Sequence, residues 1–466
     1  MTTSTSVSQT PVASPLSTLT VQNAEVAKLI RSAYTQAELE AVRQALVAHN
    51  TLTLRRYPNG GHSAVTIINT NATLYSALEG LLYNMWDRDN IMQCLAELVL
   101  AEDNDLRAGL DVDTTAWRRG MVAALVHHKK GDFRFVDIAL GRASGYPKDY
   151  MRRPHIRYNP ISLAECGDNW GHGQNDSLSF LNFMLFYALA TGRAKWDDID
   201  LQPTALSFAS LSHGLFWKIH VWEDFDLGAW EDCVGQHWSS IACVLVSLRV
   251  QLAFIKAYGK PLHYNKDGHD FWVNESGVQE LIDKCQAKLV EIGINEFITS
   301  EGGATRGVDL AMLNPLLLAA FAGQPVIDDA NTVAVLEKVE KELLGHIGLR
   351  RYANDLWDGR DNRHDFGKGE EAQWVHGAPQ MSYIYGDLYQ RTGDERFYEK
   401  QVQYFNRALA SIAPSWMTPE AWIVDARTRN WVPDANEPLA WAQSMFVLAL
   451  AGMKKSTAKH DAGKAA

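Results

Sequence analysis

Six times along this chain a long loop crowded with Trp, Asp, Glu, Arg, Asn and Gln runs directly into an apolar helical pattern, and a plainer helical pattern precedes each loop. The loops contain Trp86-Asp87-Arg88-Asp89, Trp170-Gly171-His172-Gly173-Gln174-Asn175-Asp176, Trp230-Glu231-Asp232, Gly302-Gly303-Ala304-Thr305-Arg306, Gly369-Glu370-Glu371-Ala372-Gln373-Trp374 and Pro419-Glu420-Ala421-Trp422. Consecutive antiparallel helices with long connections after every odd-numbered member put all of those connections at one end, where functional residues gather on a rigid scaffold.

Apolar periodicity near 3.6 predicts helices at about 24–49, 89–104, 113–129, 175–191, 203–220, 237–258, 276–296, 308–322, 332–346, 371–393, 396–412 and 437–453. Even-numbered members, such as Leu178 to Leu189 and Ile241 to Leu252, are apolar almost all round, as an inner ring requires. Odd-numbered ones, such as Ala37 to Val47, carry charges on one face and suit an outer ring. The expected fold is all-α, an (α/α)6 toroid of twelve helices. One small β-hairpin is expected in the first long loop, where Thr51 to Tyr57 and His62 to Asn69 flank Pro58-Asn59-Gly60-Gly61. A helical solenoid is the rival, but no fixed-period repeat is visible and the loops are dissimilar.

The domain expectation is a disordered polar tail over 1–22, one unit over 23–453 and a second disordered tail over 454–466. No apolar run is long enough and free enough of polar residues to be expected to span a bilayer. The N-terminus shows no secretory pattern, and the five cysteines are odd in number without metal-type spacing. Reduced thiols and a cytoplasmic setting are therefore expected. In that setting the glycosylation triplets at Asn71, Asn175 and Asn274 are chance matches. A net charge of −11 without a basic patch disfavours nucleic acid and anionic membrane surfaces, leaving a neutral or cationic ligand as the better fit.

Zinc-type His-Glu-x-x-His, a phosphate loop and a Gly-x-Ser-x-Gly elbow are all missing from the sequence. No metal or organic cofactor is expected. His127-His128 beside Lys129-Lys130 reads as a set of cations closing a helix rather than as metal ligands. Carboxylates interleaved with tryptophans remain. Sugars offer apolar C–H faces and hydroxyl edges, so their sites combine aromatic platforms with Asp, Asn, Gln and Arg. Two carboxyl groups, one protonated and one ionised, then suffice for glycosidic hydrolysis.

From about Ala24 to Met453 these segments resemble the glucoamylase family, glycoside hydrolase family 15, and the related amino-terminal domains of phosphorylase kinase α and β subunits. Trp86-Asp87-Arg88-Asp89 is similar to the family's Trp-x-Arg-Asp, whose Arg and Asp grip the terminal glucose. Gln174-Asn175-Asp176 resembles its Gln-Asn-Asp, and Asp226-Leu227-Gly228-Ala229-Trp230-Glu231-Asp232 resembles Asp-Leu-Trp-Glu-Glu, whose first Glu is the general acid. The resemblance thus implies Glu231 as acid, Glu420 as base, and a sugar site lined by Trp86, Arg88, Asp89, Trp170, Gln174, Asp176, Trp230, Asp232, Arg306, Trp374 and Trp422. Pro438-Leu439-Ala440-Trp441-Ala442 is similar to the Pro-Leu-x-Trp that opens the family's last inner helix. Two departures stand out. Gly228-Ala229 is inserted before Trp230, and Asp232 replaces the second Glu.

The implied activity is that of an inverting exo-acting α-glucosidase, releasing glucose from the non-reducing end of α-glucosides or short α-glucans. The alternative is a carbohydrate-sensing regulatory protein with a protein partner and little turnover. A third option is an (α/α)6 enzyme of another type, such as an epimerase, phosphorylase or lyase.

Overall fold

Most outer helices are amphipathic and most inner helices are not, and that difference builds the molecule. The computed structural model describes residues 12–14, 17–65, 81, 83–146, 149, 151–167, 169–299, 304–355, 357 and 369–465. Twelve principal helices follow in order: α1 Gln36–Ala48, α2 Asp87–Glu102, α3 Ala116–Lys130, α4 Asn175–Ala190, α5 Gln202–Lys218, α6 Trp238–Tyr258, α7 Glu275–Ile292, α8 Leu313–Ala322, α9 Asp329–Leu343, α10 Gly377–Thr392, α11 Glu395–Ala410 and α12 Ala440–Ala465. Along α7 the buried positions are Val278, Leu281, Ile282, Cys285, Leu289 and Ile292, a single stripe at helical spacing. On α6 every residue from Trp238 to Leu248 is buried, so that helix needs neighbours on all sides.

Those neighbours include the other even-numbered helices. α2 packs on α4, α4 on α6, α6 on α8, α8 on α10, α10 on α12, and α12 returns to α2. The inner ring closes, and the fold is an (α/α)6 toroid. Contrary to the sequence expectation, α6 is long and apolar enough to cross a membrane by length and composition. With 89% of its apolar window buried, its hydropathy is accounted for by its place in the ring.

Side-chain caps occur at four of the outer helices and are missing at α3 and α5. Thr35, in a reciprocal capping box with Glu38, and Asn274, Asp328 and Asp394 cap the outer helices α1, α7, α9 and α11 with their side chains. The inner helices α2, α4, α6, α8 and α10 have no such bond from their N-cap residues Trp86, Gln174, His237, Met312 and His376. Other loops supply carboxylates instead. Asp226 Oδ2 accepts from the Asn175 N–H at 2.9 Å and Glu296 Oε2 from the Ser239 N–H at 2.9 Å. Short antiparallel ladders stitch these loops together: Met85–Trp86 with Arg157–Tyr158, Gln236–His237 with Phe297–Ile298, and Gln373–Trp374 with Ala421–Val424.

Several boundaries move. The first expected helix is split into Ala24–Ala27 and α1, because the capping box at Thr35 restarts it. α10 begins after Gln373–Trp374 has paired as a strand. In the first long loop the turn forms, with the Tyr57 N–H donating to the Gly61 carbonyl at 2.7 Å, but no strand ladder flanks it among the described residues. Residues 66–69 of the expected hairpin lie outside them. The hairpin Leu262–Lys266 with His269–Val273, packed on α5, was not anticipated. Nor were the short helices Asn104–Arg107 and Asp132–Ala139. His127 and His128 are buried rather than facing solvent at a helix end. His128 Nε2 meets Asp87 Oδ2 at 2.6 Å, tying the end of α3 to the start of α2. None of the five cysteines is in a disulfide among the described residues.

Neither expected tail matches its description where residues are described. Val12–Ser14 pairs with Ser17–Leu19. The last helix runs to Ala465 instead of ending near Met453, burying Ser456 and Thr457. The Tyr398 and Thr457 hydroxyls meet at 3.1 Å, and Lys459 Nζ donates to the carbonyls of Tyr389 and Gln390 at 3.2 and 2.8 Å. Removing residues 455–466 should therefore lower Tm by about 3 °C or more in a thermal melt. An unchanged Tm would show that this extension contributes nothing to the fold.

Candidate active site

Inner-helix starts contribute charged and aromatic side chains, and the loops fold them onto one another. In the first turn of α2, Arg88 and Asp89 are both buried. Arg88 Nη2 lies 3.7 Å from Glu231 Oε1, and Nη1 lies 3.7 Å from Asp176 Oδ2 while donating to Gln174 Oε1 at 3.2 Å. Its guanidinium stands 5.3 Å from the centre of the Trp441 ring. Residues from three other segments, Gln174 with Asp176, Glu231 and Trp441, thus surround one cation.

Aromatic side chains make the walls. Trp170, 36% exposed, donates its indole N–H to Glu231 Oε2 at 2.7 Å and meets Trp86 edge-on with centroids 6.2 Å apart. Trp230 donates to Asp309 Oδ1 at 2.6 Å, and its ring lies 5.3 Å from Trp374 and 6.3 Å from Trp441. His376 stacks on Trp441 at 4.2 Å.

Glu231 sits on a loop whose base is closed by two hydrogen bonds of 2.9 Å between Asp226 and Gly235. Its φ of 62° is left-handed, a conformation few residues other than glycine adopt and one the surrounding structure must impose. Glu420 is held differently. Its N–H donates to the Asn436 carbonyl at 3.0 Å, its own carbonyl accepts from Val375 at 3.2 Å, and Asn436 Nδ2 donates to its Oε2 at 2.5 Å.

Burial governs the charges. It pushes the Glu231 carboxyl above its ordinary range, with the Arg88 charge opposing and Asp89 adding to the rise. It also pushes Glu420 to about 7, against the Asn436 hydrogen bond and the Arg351 charge, with Asp89 again adding. Both glutamates therefore lie within electrostatic reach of Asp89. Asp89 and Asp176 are themselves raised by burial and pulled back by Arg88. Burial, with Arg88, holds His376 down at about 3 and keeps its ring neutral.

Several buried polar atoms here make no hydrogen bond among the described residues: Arg88 Nε, both carboxylate oxygens of Asp176, Glu231 Oε1, Trp374 Nε1, Trp441 Nε1 and His376 Nδ1. Buried groups are ordinarily paired, because leaving one unpaired costs about 1–3 kcal/mol. Donors and acceptors around one cleft suit a ligand with many hydroxyls. A separate cavity of about 910 Å³, lined by Asp329, Val333, Phe397 and Lys400 on α9 and α11, shares no residue with this cluster.

Three of the expected sugar contacts, Arg306, Asp232 and Trp422, are engaged by the protein itself. Arg306 is bound to Asp309 Oδ2 at 2.8 Å and Asp232 Oδ2 at 3.4 Å and stacks 3.5 Å from the Tyr352 ring centre, while the Tyr352 hydroxyl also donates to Asp232. Arg306 and Asp232 thus brace the rim, with their charges already paired. Trp422 is 2% exposed, with its indole N–H given to the Ser411 carbonyl at 2.9 Å, and belongs to the core.

Arg351, Trp441, His376 and Asn436 went unassigned in the sequence. Arg351 makes two 2.7 Å bonds to Asp355, and its guanidinium lies 5.1 and 5.4 Å from the Trp374 and Trp230 ring centres. Trp441 had a usable signal, since it opens the last even-numbered helix within the Pro-Leu-x-Trp segment.

Residues 82–430 match the family model of glycosyl hydrolases family 15. The chain belongs to that family and is a glycoside hydrolase. Its fold resembles that of a wild-type glycosidase (TM-score 0.60, 13% identity, 92% of this chain and 98% of the other). The glucoamylase of Saccharomycopsis fibuligera (0.56, 13%, 91% and 97%) and the family 15 glucoamylase of Hypocrea jecorina (0.54, 13%, 90% and 72%) are similar as well. At these identities the likeness is one of fold. No curated protein sequence matches the chain.

Arg88→Ala should lower kcat/KM about 100-fold or more, because it removes the charge around which Asp176 and Glu231 are arranged. Trp422→Phe should lower Tm and leave the kinetics within about twofold, since it deletes a core hydrogen bond away from the ligand. Steady-state kinetics and thermal melts on the pair check both, and the reverse pattern would exchange the two roles.

Proposed function

We propose that the protein is an inverting, exo-acting α-glucosidase that releases glucose from the non-reducing end of α-glucosides or short α-glucans. The observation that supports this most is the ring of unpartnered donors and acceptors around Glu231, on an electrostatic centre shared with Glu420. Among structures of similar fold, one glycosidase variant was solved in complex with glucose and a bacterial glucoamylase with acarbose.

In this reading Glu231 is the acid. Its Oε2 accepts the Trp170 N–H, and its Oε1, 3.7 Å from Arg88 Nη2, makes no hydrogen bond, which leaves the carboxyl proton free to be given up. That proton passes to the glycosidic oxygen as the bond to the anomeric carbon breaks. Positive charge developing on the sugar ring is met by Asp89 and Asp176. Glu420 takes a proton from a water attacking the opposite face, and the water's oxygen bonds to the anomeric carbon. An inverting enzyme needs room for that water, about 6.5–9.5 Å between the two carboxyl groups. Neither proton transfer calls on a metal or an organic cofactor.

Proton NMR of early product decides the stereochemistry. β-Glucose should appear first from an α-linked disaccharide, and α-glucose first would overturn inversion. No release from maltose, isomaltose, trehalose, kojibiose or nigerose would instead favour a sugar-sensing protein.

The pH profile carries a second expectation. Turnover needs Glu420 ionised and Glu231 protonated, and burial raises Glu420, so kcat/KM should fall on an acid limb lying above the ordinary carboxylate range. Asn436 donates to the ionised form of Glu420, so Asn436→Ala should move this acid limb to higher pH. An unmoved limb would assign it to another group.

A further inference from the structure

A buried histidine lies beneath the loop that carries Glu231. His237 ends the two-residue strand Gln236–His237 and forms the N-cap of α6, with its ring enclosed. Its Nδ1 lies 3.3 Å from Glu296 Oε1, and its Nε2 lies 3.1 Å from the Cys233 carbonyl. Both neighbours are acceptors, so both ring nitrogens carry protons. Glu296 is itself pinned to the start of α6, accepting from the Ser239 N–H at 2.9 Å and from the Ser239 hydroxyl at 2.6 Å.

The ring touches the loop on both sides of the acid. Cys233 follows Glu231 by two residues, and Gly228 precedes it by three. A Cβ on Gly228 would fall 2.7 Å from His237 Cε1 and Nδ1, so only glycine lets the ring lie there, and the φ of 61° at Gly228 favours glycine as well. Between these contacts Glu231 holds its left-handed backbone. A path of direct contacts thus runs from the start of α6 through Glu296 and His237 to the segment bearing the acid.

We propose that His237, fixed by Glu296 and bonded to the Cys233 carbonyl, is the positioning residue that sets Glu231 for proton donation. His237 touches no substrate. The inference rests on Glu231 acting as the general acid in the function proposed above. Burial disfavours a charged ring, yet the Glu296 hydrogen bond and the Asp226 and Glu296 charges hold its pKa up at about 9. The ring therefore stays doubly protonated at neutral pH.

Two conservative substitutions separate its bonds. His237→Gln keeps an N–H within reach of the Cys233 carbonyl, whereas His237→Asn keeps only the shorter reach toward Glu296. With an α-linked glucose disaccharide, H237N should lower kcat about 10- to 100-fold with KM within about twofold, as expected for a misplaced acid. With α-glucosyl fluoride, whose leaving group departs without a proton, the kcat of H237N should stay within about threefold of wild type. H237Q should recover most of the disaccharide rate. Should H237N not fold, Gly228→Ala, which drives a Cβ into the same ring, takes its place with the same expected selectivity. Equal losses on both substrates, a loss confined to KM, or no loss at all would overturn the positioning role. Wild-type protein that turns over neither substrate would overturn the hydrolase reading and this inference with it.

Discussion

The starts of the inner helices are the constraint on which the rest of the site depends. The N-cap residues of α2, α4, α6, α8 and α10 make no side-chain bond to their own helices. Their exposed N–H groups and positive dipole ends draw in carboxylates from elsewhere in the chain, as Asp226 and Glu296 show at α4 and α6. A dense group of buried acids is the consequence. Asp87, at the same end, is fully engaged by His128 at 2.6 Å and Tyr158 at 2.9 Å, whereas its neighbour Asp89 acts on both glutamates of the cleft.

Burying so many acids is tolerable only if some give up their charge or find a cation. Burial pushes Asp226, Asp309 and Glu420 upward, while Arg88, Arg306 and Arg351 supply the cations. The arginines are not equivalent. Arg306 and Arg351 are each bonded to an aspartate at 2.8 and 2.7 Å, but Arg88 keeps its carboxylates at 3.7 Å and leaves Nε without a partner. A guanidinium held that loosely in a buried place is suited to ligand oxygens between it and the acids.

The ring and most of its helices were legible in the sequence because burial on all sides and burial on one face leave different periodicities. The gathering of Glu231, Arg88, Asp89, Gln174, Asp176 and Trp170 was legible because each lies in a short motif on a segment leading into an inner helix. What failed was pairing across long separations. Nothing local marks Arg306 as the partner of Asp232, more than seventy residues away, or Arg351 as the cation near Glu420. Trp422 misled for a related reason. The strand Ala421–Val424 is buried throughout, and a charged neighbour such as Glu420 does not show that an indole faces the cleft. The closing segment from Lys454 reads as too polar to pack, yet Lys459 and Thr457 find partners on α10 and α11 that only the closed ring brings near.

The insertion of Gly228-Ala229 and the presence of His237 are best understood together. Lengthening a loop by two residues adds freedom at a cost that grows only slowly with length, but a general acid, the role proposed for Glu231, must hold its place to within fractions of an ångström. Something must therefore remove that freedom. Gly228 supplies both a left-handed turn and the space a Cβ would occupy, Ala229 is buried beside it, and His237 fills the space while bonding the far side of the loop. The inserted residues thus carry their own support, and the left-handed backbone of Glu231 is held by contacts that reach back to the inner ring itself.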